Sequence, residues 1–185
     1  MSSESSAARH AALLKRMSLC RTLTAAELED VAAIVSTRQV PAGAELFREG
    51  DAGDGLYLIV DGDISVLKRG AEGEHALAKL GPGGVLGEMS LVTSDARSAT
   101  GRAVTAATVL HLPAKDFRVR VDAGSTAALK ITAAIAEILA RRVATMNGLV
   151  LGLAGTTAAA PSAARSAMKT QDLAELHRTM QVWSF

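Results

Sequence analysis

A chain of 185 residues, 49% hydrophobic and 21% charged, is long enough for one domain with its own core and has an ordinary globular composition. Its net charge of +1 excludes a global field that would draw it to nucleic acid or to acidic membranes. A single cysteine, Cys20, excludes an internal disulfide and fits a reducing compartment.

Residues 1–35 read as a helical segment. The opening "MSSESSAARHAALLKRM" scatters its charges and has no long apolar run, so no secretion signal is expected and the chain reads as cytoplasmic. A first helix is expected from Ala7 to Met17. In "LTAAELEDVAAIV", Thr24 stands three residues before Glu27, the spacing of a capping box. Leu28, Val31, Ala32 and Val35 then recur at helical spacing and mark one buried face.

From 36 to 113 the texture changes to short apolar runs punctuated by glycine. "LYLIV" and "ISVL" flank "DGD", which reads as a hairpin. Three aliphatic residues in a row suit a strand buried on both faces. "EHALAKL" and "TAATVLHL" are further strands, the first ended by Gly81-Pro82-Gly83-Gly84. Many short strands with regular turns predict a small barrel or jelly roll.

The helical period returns over 114–153. "PAKDFRVRV" is a short helix. A long one starts at Ser125 and is expected to stop near Gly148. Its stripe of Ile131, Ile135, Ile138, Arg142 or Val143, and Met146 suits either a coiled-coil seam pairing two chains through 125–150 or packing on the chain's own barrel. Residues 154–169 read as a linker, and 170–185 as an amphipathic tail with Leu173, Leu176, Met180 and Trp183 on one face. Residues 143–164 carry no charge. Gly148, Gly152, Gly155, Pro161 and Asn147 nevertheless keep their hydrophobicity low, and no membrane span is expected.

Chemistry concentrates in "GGVLGEMSLVTSDARSATGRA", residues 83–103. A short helix beginning at Glu88 would aim free N–H groups at a ligand. Gly87 lets the backbone come close to it. Arg97 adds a permanent charge with a fork of donors suited to phosphate, and small Ser98 and Ala99 let nearby amides reach the same oxygens. Glu88 is a poor partner for a phosphate and a good acceptor for a sugar hydroxyl. A base for a phosphate and an acid for a ribose describe a nucleotide monophosphate site. The histidines His10, His75, His111 and His177 are scattered without metal-ligand spacing, and His111, alternating with apolar neighbours in a strand, reads as structural.

"GEMSL", "VTSD" and "ARSA", together with "GDAGDGLYLIVDGDISV", resemble the cyclic nucleotide-binding domain family over Leu23 to Asn147. That family includes the catabolite activator protein, kinase regulatory subunits and nucleotide-gated channels. Ala96 stands where many members have proline. The resemblance implies an α+β, mainly β fold: a jelly-roll barrel with a phosphate-binding cassette at 87–99, N-terminal helices before it and a long helix behind. It implies cAMP, or less strongly cGMP, as ligand, with Glu88 on the ribose 2′-hydroxyl and Arg97 on the cyclic phosphate. The backbone of Gly87, Met89, Ser90 and Ala99 would complete the cradle. Ser98 would touch the phosphate or a guanine amino group, and Arg142, Thr145 and Asn147 the base.

Three functions compete. A regulatory sensor would pass a conformational change to a partner protein, with no catalytic residues, metal or cofactor. A transcription factor would need a helix-turn-helix, and the thirty-two residues after Leu153 leave no room for one, so no DNA binding by this chain alone is expected. A hydrolase would need a metal or an activated nucleophile beside the phosphate, and the cassette offers neither. A relative that kept the fold and lost its ligand is the remaining alternative; intact Glu88 and Arg97 argue against it.

Overall fold

The computed structural model describes residues 2–93 and 95–159, with side-chain environments for 6–93 and 95–148. The expected tail and most of the expected linker lie outside them.

Helix α1 (Ser2–Leu14) starts before the expected Ala7 and ends before Met17. There the chain tightens, Met17 N–H donating to the Leu14 carbonyl at 2.9 Å. Helix α2 (Ala25–Ala32) opens with the capping box read from the sequence: Thr24 Oγ1 accepts from Glu27 N–H, and Glu27 accepts from Thr24 N–H. Eight strands follow: β1 (Ser36–Val40), β2 (Glu45–Phe47), β3 (Gly55–Asp61), β4 (Ile64–Gly70), β5 (Gly73–Leu80), β6 (Val85–Leu86), β7 (Thr100–Ala103) and β8 (Ala107–Pro113). Helix α3 (Glu88–Val92) interrupts the strands between β6 and β7; α4 (Ala114–Asp122) and α5 (Thr126–Ala159) close the order.

The strands form two four-stranded antiparallel sheets, ordered β1-β8-β3-β6 and β2-β7-β4-β5. This corrects the expected hairpin. β3 pairs with β6 and β8, whereas β4 pairs with β5 and β7, so "DGD" carries the chain from one sheet to the other. Gly62 makes that corner possible. Its φ is +80°, and a side chain there would meet the Ala106 carbonyl and Ala107.

β3 is buried on both faces, which explains its unbroken apolar run. Leu56 and Leu58 face the helices with Leu110 and Leu112 of β8, in one core with Leu28, Val31, Phe117, Ile131 and Ile135. Tyr57 and Ile59 point the other way, into the barrel, with Ile64, Leu80, Leu86 and Val109. Each fully buried aliphatic side chain stabilises by about 1.5–3 kcal/mol, so the two cores fix β3 and β8 as the rigid centre. Cys20 packs in the helical core, where burial pushes its thiol up to about 12.

The long helix matches one expected use of its stripe and departs from expectation at its end. Of the two uses read for the stripe, its front takes the intramolecular one: Ile131 and Ile135 are fully buried in the chain's own core and Ile138 packs beside them. The helix passes through Gly148 to Ala159, into the expected linker. Gly148, Gly152 and Gly155 each cost about 1 kcal/mol relative to alanine, and the residues between them are mostly leucine and alanine, which favour helix. Among the described residues, no single helix is long and apolar enough to cross a membrane.

Candidate functional site

Helix α3 begins where the sequence places it. Gly87 is its N-cap with φ +72°, and a Cβ there would overlap the Arg97 guanidinium. Glycine is therefore required twice, by backbone conformation and by close approach. Glu88 and Ser90 on α3 are buried, while Met89 is exposed.

Arg97 is 3% exposed. Its Nη2 donates to Asp54 Oδ1 at 2.5 Å, and its Nη1 donates to the Gly87 carbonyl at 3.2 Å and lies 3.4 Å from Ser90 Oγ. The guanidinium also lies over two rings, 4.3 Å from the Phe47 centroid and 5.3 Å from that of Tyr57. Arg97 Nε is buried with no hydrogen-bond partner among the described residues, and such a donor costs about 1–3 kcal/mol when left unmet. The backbone around Arg97 is pinned as well: Arg97 N–H donates to the Asp51 carbonyl at 2.8 Å and Gly50 N–H to the Arg97 carbonyl at 2.9 Å. The guanidinium is a rigidly held cation whose donors are not all used.

Asp54 ties this cation to the barrel. The β3–β8 register sets Tyr57 opposite His111, and their rings stack at 4.7 Å. Tyr57 Oη donates to Asp54 at 2.8 Å, and His111 Nε2 lies 3.4 Å from Asp54 Oδ2. Arg38 on β1 donates to Tyr57 Oη at 3.0 Å and to His111 Nδ1 at 2.9 Å. Burial alone would raise the Asp54 carboxyl, but hydrogen bonds from Tyr57 and Arg97 and the charges of His111 and Arg97 outweigh it and hold it below its usual range. Burial, then the hydrogen bond and charge of Asp54, push the Tyr57 phenol up to about 12. Burial and the Arg38 charge lower His111.

Glu88 has a different partner. Arg142, on α5, donates through Nη1 to Glu88 Oε1 and reaches the Val85 carbonyl at 3.5 Å. The ion pair joins a carboxylate 4% exposed to a guanidinium 25% exposed, and it fastens the long helix to the start of α3. Ser98 faces solvent. Its carbonyl accepts from Lys68 Nζ at 2.7 Å, and Lys68 is held by Glu49 at 2.8 Å.

The structure thus brings Gly87, Glu88, Ser90, Arg97 and Arg142 together, with Met89 beside Ser98 at 3.9 Å and Ala99 buried behind. Thr145 and Asn147 are exposed, and the Thr145 hydroxyl donates back to the Arg141 carbonyl. Sequence reading missed Arg38, Phe47, Asp54, Tyr57 and Lys68, and took His111 as merely structural. Asp54 had one visible signal, an acid in "GDAGDG" at the foot of a strand; the others gather only through sheet register.

Two sheets face to face, with a short helix and a buried arginine inserted between β6 and β7, define a jelly-roll domain. Residues 37–122 match the family model of the cyclic nucleotide-binding domain. The structure of a cyclic nucleotide-binding-like protein from Brucella abortus is 31% identical at a TM-score of 0.53, covering 62% of this chain and 98% of that one. The chain belongs to the cyclic nucleotide-binding domain family. It is also similar to a cyclic nucleotide-gated potassium channel from Rhizobium etli, at 37% identity over 58% of this chain and 29% of the channel. Cyclic AMP receptor protein from Thermus thermophilus is 34% identical over 56% of this chain and 49% of that protein. The chain spans about half or less of the length of these two relatives.

Proposed function

We propose that the chain binds a 3′,5′-cyclic nucleotide, cAMP in preference to cGMP, and signals occupancy to a partner protein without catalysing a reaction. The observation that carries this reading is Arg97, a buried cation with an unmet Nε donor, held beside Gly87 at the head of α3. A cyclic phosphate supplies one negative charge and acceptor oxygens for that donor. Glu88 lies at the same helix start and accepts from a ribose hydroxyl. Similarity to a protein named for cyclic AMP favours adenine.

The signal follows from the second partner of Glu88. A ribose hydroxyl on Glu88 competes with Arg142, and Arg142 is part of α5. Ligand affinity therefore differs between α5 docked through Arg142 and α5 released, which is what a sensor requires. The test is calorimetric titration of the purified chain with cAMP and cGMP. One site per chain with tighter cAMP binding is expected, and no heat with either nucleotide at high micromolar concentration would overturn the reading.

A further inference from the structure

We propose that His111 is a proton-coupled partner of Asp54, taking up a proton when a nucleotide phosphate occupies Arg97. The inference rests on the nucleotide reading above and on the chain of contacts Arg38–His111–Asp54–Arg97.

Arginine only donates, so Arg38 Nη2 at 2.9 Å fixes His111 Nδ1 as an acceptor. The neutral ring then carries its proton on Nε2, which faces Asp54 Oδ2 at 3.4 Å. That nitrogen is buried and has no partner at full hydrogen-bond geometry among the described residues, but the Asp54 backbone carbonyl stands near enough to favour a proton on it. The backbone crowds it too, since a Cβ at Gly55 would lie 2.9 Å away. The groups facing the imidazole are Arg38 from β1, Tyr57 from β3, Asp54 from the turn before β3, and Arg97 beyond Asp54. Asp54 is the one anion among them, and it answers two arginines. The cluster carries one net positive charge, and the imidazole stays neutral.

An anion on Arg97 either shares the guanidinium with Asp54 or displaces it. In both cases one positive charge facing the cluster is neutralised, and Asp54 keeps less of its compensation. Burial, Arg38 and, least, Arg97 disfavour protonation of His111 before ligand binds, while the charge and backbone carbonyl of Asp54 favour it. The ligand therefore raises the proton affinity of the imidazole. Arg38 need not block the change. Its side chain is 44% exposed, so it can swing to solvent when Nδ1 becomes a donor. A phosphodiester keeps its single charge throughout, so the proton comes from solvent to the ring.

Binding that takes up a proton tightens as pH falls. For one group the change is at most about tenfold per pH unit, and only between the unliganded and liganded midpoints. The test is calorimetry of the full chain with cAMP in two buffers of contrasting ionisation heat, repeated from about pH 8 to about pH 6. Expected are a buffer-dependent heat signalling proton uptake and a several-fold lower Kd at the acid end. Both dependences should vanish in His111→Gln, whatever its affinity. If that variant does not fold, the wild-type imidazole titration followed by proton NMR replaces it, and its midpoint should rise when cAMP is added. Equal heats in both buffers with a flat Kd overturn the inference and leave nucleotide binding intact, as does uptake that persists in His111→Gln or an unmoved NMR midpoint. No heat in any buffer overturns the nucleotide reading and this inference with it.

Discussion

Arg142 and Glu88 stand 54 positions apart and form an ion pair that joins the long C-terminal helix to the first residue of α3. Removing the arginine strands a buried carboxylate. Breaking a fully buried pair costs about 3–5 kcal/mol, and because Arg142 is 25% exposed, Arg142→Ala should lose about 2–3 kcal/mol. Glu88→Gln in the same chain should restore part of it, since the amide needs no counter-ion. Urea unfolding of the two single variants and the double variant measures the coupling, and strictly additive losses would show that the pair does not hold α5.

The competition between Arg142 and the ribose predicts a split. Arg142→Ala frees Glu88 for the ligand and also loosens α5, so cAMP affinity should hold or rise while stability falls. Glu88→Gln should weaken binding by roughly tenfold or more, the loss of one charge-assisted hydrogen bond of about 1.5–3 kcal/mol. Calorimetry on both variants distinguishes the roles; equal losses of affinity would mean that Arg142 itself contacts the ligand.

Arg97→Ala should weaken binding far more than Ser98→Ala. Removing one partner of a desolvated charge pair costs about 2–5 kcal/mol, and each 1.4 kcal/mol is about tenfold. Ser98 is exposed, and its carbonyl, held by Lys68, is unchanged by the substitution. Affinities of the two variants within about threefold would show that Arg97 does not clamp the phosphate.

What the sequence revealed and what it hid follow one physical division. The Thr24 cap, the Gly87–Glu88 helix start and the Arg97 position are local signals, written in residues a few places apart. The partner of β3 is not local. "DGD" between two apolar runs has the chemistry of a tight turn, yet both faces of β3 are buried and the following strand belongs to the other sheet. The same limit hid the cluster around Asp54. Its members come from β1, β3 and β8, and only register brings His111 opposite Tyr57. Gly148 misled for another reason, because a glycine inside a long run of helix-compatible residues is a small cost and not a stop.

Gly87→Ala should abolish tight binding while leaving most of the fold. A left-handed residue with a Cβ costs about 1–2 kcal/mol, and that methyl group would overlap Arg97 Nη1. The arginine must then leave its seat between Asp54 and the Gly87 carbonyl. Circular dichroism should report a folded chain with a modestly lower Tm, and calorimetry a loss of affinity comparable to that of Arg97→Ala. Near-native affinity in Gly87→Ala would show that the seat of Arg97 is not the binding geometry.

Without nucleotide the chain should lose stability in two steps as pH falls, the upper one belonging to His111. The native imidazole is harder to protonate than an unfolded one, because burial and the Arg38 charge oppose the proton more than Asp54 attracts it. Its contribution is fully present above the ordinary histidine value of about 6.5 and declines as pH drops below that value, where the unfolded chain binds the proton first. Asp54 contributes to the lower step, together with the salt-bridged Glu27, Glu45, Glu49 and Glu74, whose carboxyls are also held low. The native Asp54 carboxyl is held below the usual range, so its contribution is present above the unfolded value of about 3.9 and is lost as pH falls through the depressed native one. Urea midpoints measured at intervals from about pH 8 to about pH 3 should bend at both places. His111→Gln should flatten the upper bend, and Asp54→Asn should shrink the lower one without removing it. Saturating cAMP should shrink the upper bend in the wild-type chain, since the liganded cluster accepts the proton that the unliganded one refuses. An upper bend that survives His111→Gln would assign that step to another group.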